Sequence, residues 1–170
     1  MILVKEGLNY SITSECHEPR IPKGFGDLAF KKAVESIVGK KYFVSIAFVR
    51  QRKIALFNKK YRGKNLSTDV LSFPLDKYTG EILFSLADIR RKARSYKLEA
   101  GSYLPYLLIH ALLHLKGLRH SSKMERLEKK FCKVFKIYYP DIKEKNEREN
   151  NSRNRYRDVP STSGSFIARK

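Results

Sequence analysis

Cysteine is scarce in this sequence. The two residues present, Cys16 and Cys132, form no redox or metal-binding spacing, and their rarity points to a reducing compartment. Long hydrophobic runs are also missing. The most apolar stretch, around Leu104–Leu115, is interrupted by Pro105, His110 and His114, so no segment reads as a membrane span. The N-terminal MILVKEGLNY becomes charged too early for a signal peptide, which makes the cytoplasm the expected location. Acidic residues are outnumbered, with 17 Asp+Glu against 36 Lys+Arg and a net charge of +19. Residues 141–170 hold eight Lys/Arg against five Asp/Glu, so +16 of that charge sits on residues 1–140. A surface this positive attracts polyanions and predicts salt-sensitive binding to nucleic acid, with anionic lipid the blander partner.

What is present fits one domain of residues 1–140 with a core, followed by a polar tail. Hydrophobic residues make up 42% of the chain, enough to bury an interior. From residue 141 onward Lys, Glu, Asn, Arg and Ser dominate, and 141–170 reads as disordered. Apolar spacing predicts strands at Ile2–Val4, Tyr42–Val49, Asp69–Phe73 and Glu81–Leu86. It predicts helices at Phe25–Val38, Lys53–Tyr61, Ala87–Ala100, Tyr103–Lys116 and Met124–Tyr139. Pro105 is expected in the first turn of its helix, where proline costs least. The interleaving implies a layered α/β or α+β structure without fixing strand order.

Three of the four histidines fall in one short segment, Leu108–His120, LIHALLHLKGLRH. His110 and His114 share a helix face one turn apart, close enough for two ring nitrogens to reach one ion. Gly117 lets the chain leave the helix through a left-handed bend, and His120 can then fold back as a third ligand. The pattern H-x-x-x-H-x-x-G-x-x-H has the spacing of the metzincin metal motif. Three protein ligands leave a coordination position open, as in a catalytic zinc site, where bound water becomes a nucleophile near neutral pH. The glutamate that serves as base in H-E-x-x-H peptidases is absent, because Ala111 stands there. His17, in the polar segment SECHEPR, carries no such signal and reads as a surface residue.

Upstream, Asn58–Lys64 reads N-x-x-Y-R-G-K and Thr68–Pro74 reads T-D-V-L-S-F-P, followed by Gly80-Glu81-Ile82 and then the histidine segment. In that order, over about residues 58–120, these motifs resemble the YbeY family of metal-dependent endoribonucleases. The resemblance implies an α+β fold, a mixed sheet flanked by helices, with a zincin-like metal site on a helix and the turn after it. It implies His110, His114 and His120 as ligands of one Zn²⁺ ion per chain, and Arg62 as the basic residue facing the site. Arg62 would hold a phosphate or stabilise its developing charge. The implied activity is single-strand-selective RNA hydrolysis in ribosomal RNA maturation, at the 3′ end of the small-subunit RNA, and in ribosome quality control. The implied partners are ribosomal RNA and ribosomal proteins, with no membrane and no small-molecule cofactor. The sequence departs from the family pattern in two places. The usual G-Y-D-H reads Gly117-Leu118-Arg119-His120, which removes an acidic neighbour of the metal, and G-D-I reads Gly80-Glu81-Ile82.

Two other functions share some of these features. A metzincin-like peptidase has the metal spacing, but Ala111 and the positive charge oppose it. A non-catalytic RNA-binding assembly factor braced by zinc would need the metal without cleavage. Within the hydrolase reading, the basic helix 87–100 tracks the RNA backbone, and Asp69 is either a general acid or, by its place at the start of a strand, structural.

Overall fold

The computed structural model describes residues 2–15 and 27–140, with side chains described over 6–15 and 30–140. Cys16, His17 and the tail 141–170 lie outside the described residues. Among the described residues, five strands and five helices follow the order β1 (Ile2–Gly7), β2 (Tyr10–Ser14), α1 (Asp27–Ile37), β3 (Phe43–Phe48), α2 (Gln51–Arg62), β4 (Val70–Pro74), β5 (Thr79–Phe84), α3 (Leu86–Ser95), α4 (Ala100–Leu115) and α5 (Ser122–Val134). The fold is α+β. Its mixed sheet runs β1-β2-β3-β5-β4, parallel at β2–β3 and β3–β5 and antiparallel at β1–β2 and β5–β4. The expected strands and helices are all present. β2 is additional, because its alternation is short (Tyr10, Ile12 and Ser14 inward) and its interior end is polar.

Strand alternation divides the core between the two faces of the sheet. Ala47, Leu71 and Leu83 share one face and pack with Ile54 of α2, Val49, Phe57 and Phe73. Val44, Ile46, Phe48, Ile82 and Phe84 point to the other face, where the Phe48 and Phe84 rings lie 5.6 Å apart. There α4 covers the sheet, with α1, α3 and α5 against it. Ten of its sixteen residues are buried and apolar or aromatic, from Tyr103 to Leu115. Each large one stabilises the fold by about 1.5–3 kcal/mol relative to exposure, which secures α4 far more firmly than helix propensity does.

Gly80 lies against the end of α4. A Cβ there would lie 2.8 Å from Leu115 Cδ2 and 2.6 Å from Tyr42 Oη, so both side chains would have to shift. The Gly80-Glu81-Ile82 motif is thus a seat for the helix that carries the histidines. At the other end of β4, Tyr103 Oη donates to buried Asp69 Oδ2 at 2.9 Å, and Lys92 Nζ lies 3.1 Å from the same oxygen. Helix α4 therefore runs alongside the edge strand β4, tied at its start and seated at its end.

Three helix boundaries correct the sequence expectation; one is that α5 ends at Val134 and not at Tyr139, with Lys136 in a left-handed conformation (φ 55°). The basic helix stops at Ser95, because Lys97 turns into a left-handed conformation (φ 57°), and α4 starts afresh at Ala100. Pro105 consequently sits in the second turn of α4, not the first. Gly63 (φ 68°) caps α2 in the left-handed region, which any side chain would resist.

Candidate metal and RNA site

The three histidines converge. One ring nitrogen from each of His110, His114 and His120 falls in a group whose members all lie within 4.8 Å of one another. His110 and His114, one turn apart on α4, are half-buried, while His120 is exposed. After Leu115 the helix unwinds as expected. Gly117 adopts φ 90°, its N–H donates to His114 O at 2.8 Å, and Leu118 N–H donates to Leu113 O at 3.1 Å. The returning segment brings His120 beside the other two just before Ser121 caps α5, its Oγ accepting from Met124 N–H.

Hydrogen bonding orients two of the rings. His114 Nδ1 lies 2.8 Å from Leu118 O, and a carbonyl can only accept, so this nitrogen carries the proton. His110 Nδ1 lies 2.7 Å from Glu128 Oε1, so a carboxylate accepts from it as well. Both Nε2 atoms then present lone pairs, and they face each other 3.1 Å apart. Two lone pairs at that distance repel unless a cation lies between them. Two imidazole nitrogens on one tetrahedral zinc sit about 3.3 Å apart, from Zn–N bonds of ~2.05 Å. The donor set therefore fits a divalent cation. Burial, then the neighbouring His110, lowers the His114 pKa to about 4, and burial lowers that of His120, so both are neutral at pH 7 as ligands must be.

Glu128 was not read from the sequence. It is a buried carboxylate between two buried apolar residues of α5, Met124 and Cys132, at four-residue spacing. An acid on the core-facing stripe of an amphipathic helix is the signal that would have found it. It supplies the orienting carboxylate that Arg119 does not. Beside it, burial and the Glu128 charge raise the pKa of Tyr106 and push the Cys132 thiol up to about 12.

Arg62 and Lys64 flank the cap residue Gly63 at the end of α2, both exposed. The charge of Arg62 acts on His114 and His120 and that of Lys64 on His120, lowering their proton affinity. Buried groups hold the segment that follows. Asn58 Nδ2 donates to Leu66 O at 2.7 Å, and Ser67 Oγ donates to Asp88 at 2.8 Å. Asp88 also accepts from Gln51 Nε2, Ser85 Oγ and the Arg91 guanidinium. Asn58 opens the N-x-x-Y-R-G-K motif without a role the sequence alone assigns, and Ser67 and Asp88 carry no sequence signal, since a single buried Asn or Asp has no periodic signature. Asp69 is 4% exposed and satisfied by Tyr103 and Lys92, which gives it the structural role. Arg91 and Lys92 of α3 are paired with buried acids, so less of that helix is available to RNA than its composition implies.

The family model described as Endoribonuclease YbeY matches residues 12–136. The chain belongs to the YbeY family. It is 33% identical over 134 residues to the Endoribonuclease YbeY of Persephonella marina, covering 74% of this chain and 85% of that protein. It is 34% identical over 98 residues to the Endoribonuclease YbeY of Alkaliphilus metalliredigens, a match spanning 51% of this chain and 63% of that relative. The fold is similar to the solution structure of a Thermotoga maritima protein, with TM-score 0.52 and 24% identity over 92% of this chain and 99% of that one.

Proposed function

We propose that the chain is a metal-dependent endoribonuclease that cleaves single-stranded ribosomal RNA during maturation, in the cytoplasm and in contact with ribosomal proteins. His110, His114 and His120 hold one divalent cation, for which we take Zn²⁺; three imidazoles with an open position suit Ni²⁺, Co²⁺ and Cu²⁺ as well. The observation that carries this reading is the pair of oriented rings, their Nε2 atoms 3.1 Å apart and their Nδ1 atoms engaged by Glu128 and Leu118. When bound, the cation supplies Lewis acidity toward a phosphoryl oxygen and activates water near neutral pH.

The chain's own residues bind and orient. Arg62 takes the phosphate to be cleaved, offering paired N–H donors that match its oxygens, and stabilises the charge that grows on them. Lys64 adds a second positive charge beside His120. Glu128 and the Leu118 carbonyl keep His110 and His114 in one tautomer, so no reorientation is needed as charge develops. The peptidase alternative loses ground on a structural point: Ala111 is fully buried, so its position faces the core and not a substrate.

Digestion of single-stranded RNA by protein purified without an affinity tag tests this, with casein in parallel. RNA cleavage that stops with chelator and returns with Zn²⁺ is expected. Casein cleavage, or RNA cleavage indifferent to chelator and to His114→Ala, would overturn it.

A further inference from the structure

The corner between α2 and β4 carries three aromatic rings that the proposed chemistry does not use. Phe57 and Tyr61, one turn apart on α2, have nearly parallel rings with centroids 6.0 Å apart. Phe73 of β4 meets Tyr61 edge-on at 5.1 Å and Phe57 at 6.4 Å. Phe57 and Phe73 pack against the buried core below, so the cluster is anchored. Tyr61 lies at its outer end and is 55% exposed. One exposed aromatic alone would mean little.

Its surroundings give it meaning. Helix α2 carries no acidic residue, and Lys59, Lys60 and Arg62 share its last turn with Tyr61. Lys60 Nζ lies 5.2 Å from the Tyr61 ring centroid, and the next residue is Arg62, whose charge reaches His114 and His120. Along β4 this corner lies at the Pro74 end, where Pro74 pairs with Gly80 and Gly80 meets Leu115, the residue after His114. The aromatic cluster is on the face of the sheet opposite α4, and β4 is the edge strand between the two faces.

We propose that Tyr61 is a base-stacking subsite, holding the base next to the phosphate taken by Arg62. This rests on the RNA-cleaving function above and adds a physical source for strand selectivity. An unpaired base can offer a face to an aromatic ring, whereas a base inside an A-form duplex is already stacked on both sides. The surrounding cations hold the backbone without reading sequence, so any base satisfies the subsite. A protein partner docking on the same ring would need only apolar area, and leucine would serve it.

The chain contains no tryptophan, so Tyr61→Trp in the full chain introduces a lone indole at the subsite. With chelator present, fluorescence anisotropy of labelled RNA reports binding while indole emission reports stacking. Quenching that saturates together with anisotropy for a single strand, and is absent for a hairpin stem, is expected. Tyr61→Leu should weaken single-strand binding about tenfold with its thermal midpoint unchanged. Two results would overturn the subsite alone: Tyr61→Leu binding like wild type, or emission indifferent to RNA that anisotropy shows to be bound. Absence of RNA binding in wild type would instead overturn the RNA-cleaving function, and the subsite with it.

Discussion

The two sides of the candidate site are held in different ways. On the α4–α5 side, His110 and His114 project from a helix buried nearly all round, and their inner nitrogens are bonded to Glu128 and the Leu118 carbonyl. On the α2–β4 side, Arg62 and Lys64 are exposed, and the order lies at their roots, in Asn58, Ser67 and Asp88. The difference follows the two tasks. Ligands of a small cation must meet within a fraction of an ångström, so their rings are oriented directly. A phosphate on a flexible polymer tolerates a mobile cation, so only the backbone beneath it is fixed.

Removing the root of the second side should have the largest effect on stability. Asp88→Ala strips the acceptor from Ser67, Ser85, Gln51 and Arg91 and should destabilise the fold by about 3 kcal/mol or more, read by urea denaturation. A loss below 1 kcal/mol would mean that this side is not held as described. Glu128→Gln should leave the fold in place while weakening metal binding roughly tenfold to a hundredfold, measured by competition with a chromogenic chelator. Unaltered affinity would remove the distinction between oriented and unoriented sides. Arg62→Ala should not weaken metal binding, since the Arg62 charge repels a cation at the histidines, and should slow RNA cleavage by at least about tenfold, with Arg62→Lys recovering only part of it. Loss of metal in Arg62→Ala would merge the two sides into one.

The remaining effect is a pH dependence of the metal-free chain. His114 has its pKa lowered to about 4 in the fold against 6.5 ordinarily. Between those values the unfolded chain binds a proton that the folded chain refuses, so stability falls as pH drops from about 6.5 to about 4 and is flat above for this group. Thermal melts in chelator should show that slope, and His114→Ala should reduce it.

Much of this arrangement was legible in the sequence because it depends on local periodicity. The spacing of His110, His114 and His120 across Gly117 encodes its own geometry, since a helix and a left-handed exit are both short-range structures. The sheet was legible strand by strand through β3, β4 and β5, whose apolar residues are dense. β2 escaped because five residues ending in a buried serine resemble a polar loop. Strand order and the support of the site were not legible, because they rest on contacts distant in sequence. Glu128 meets His110 across eighteen residues, and Ser67 meets Asp88 across twenty-one. Gly80 lies between these cases: its motif was visible, but its reason, the seat for Leu115, exists only in the folded chain.

Calorimetric titration of the metal-free chain with Zn²⁺ decides whether the three histidines form a metal site. One equivalent should bind per chain in the wild type. That binding should be lost in His114→Ala while circular dichroism shows the helices intact. A wild type that takes up no metal, or a His114→Ala variant that binds as tightly as wild type, would contradict it.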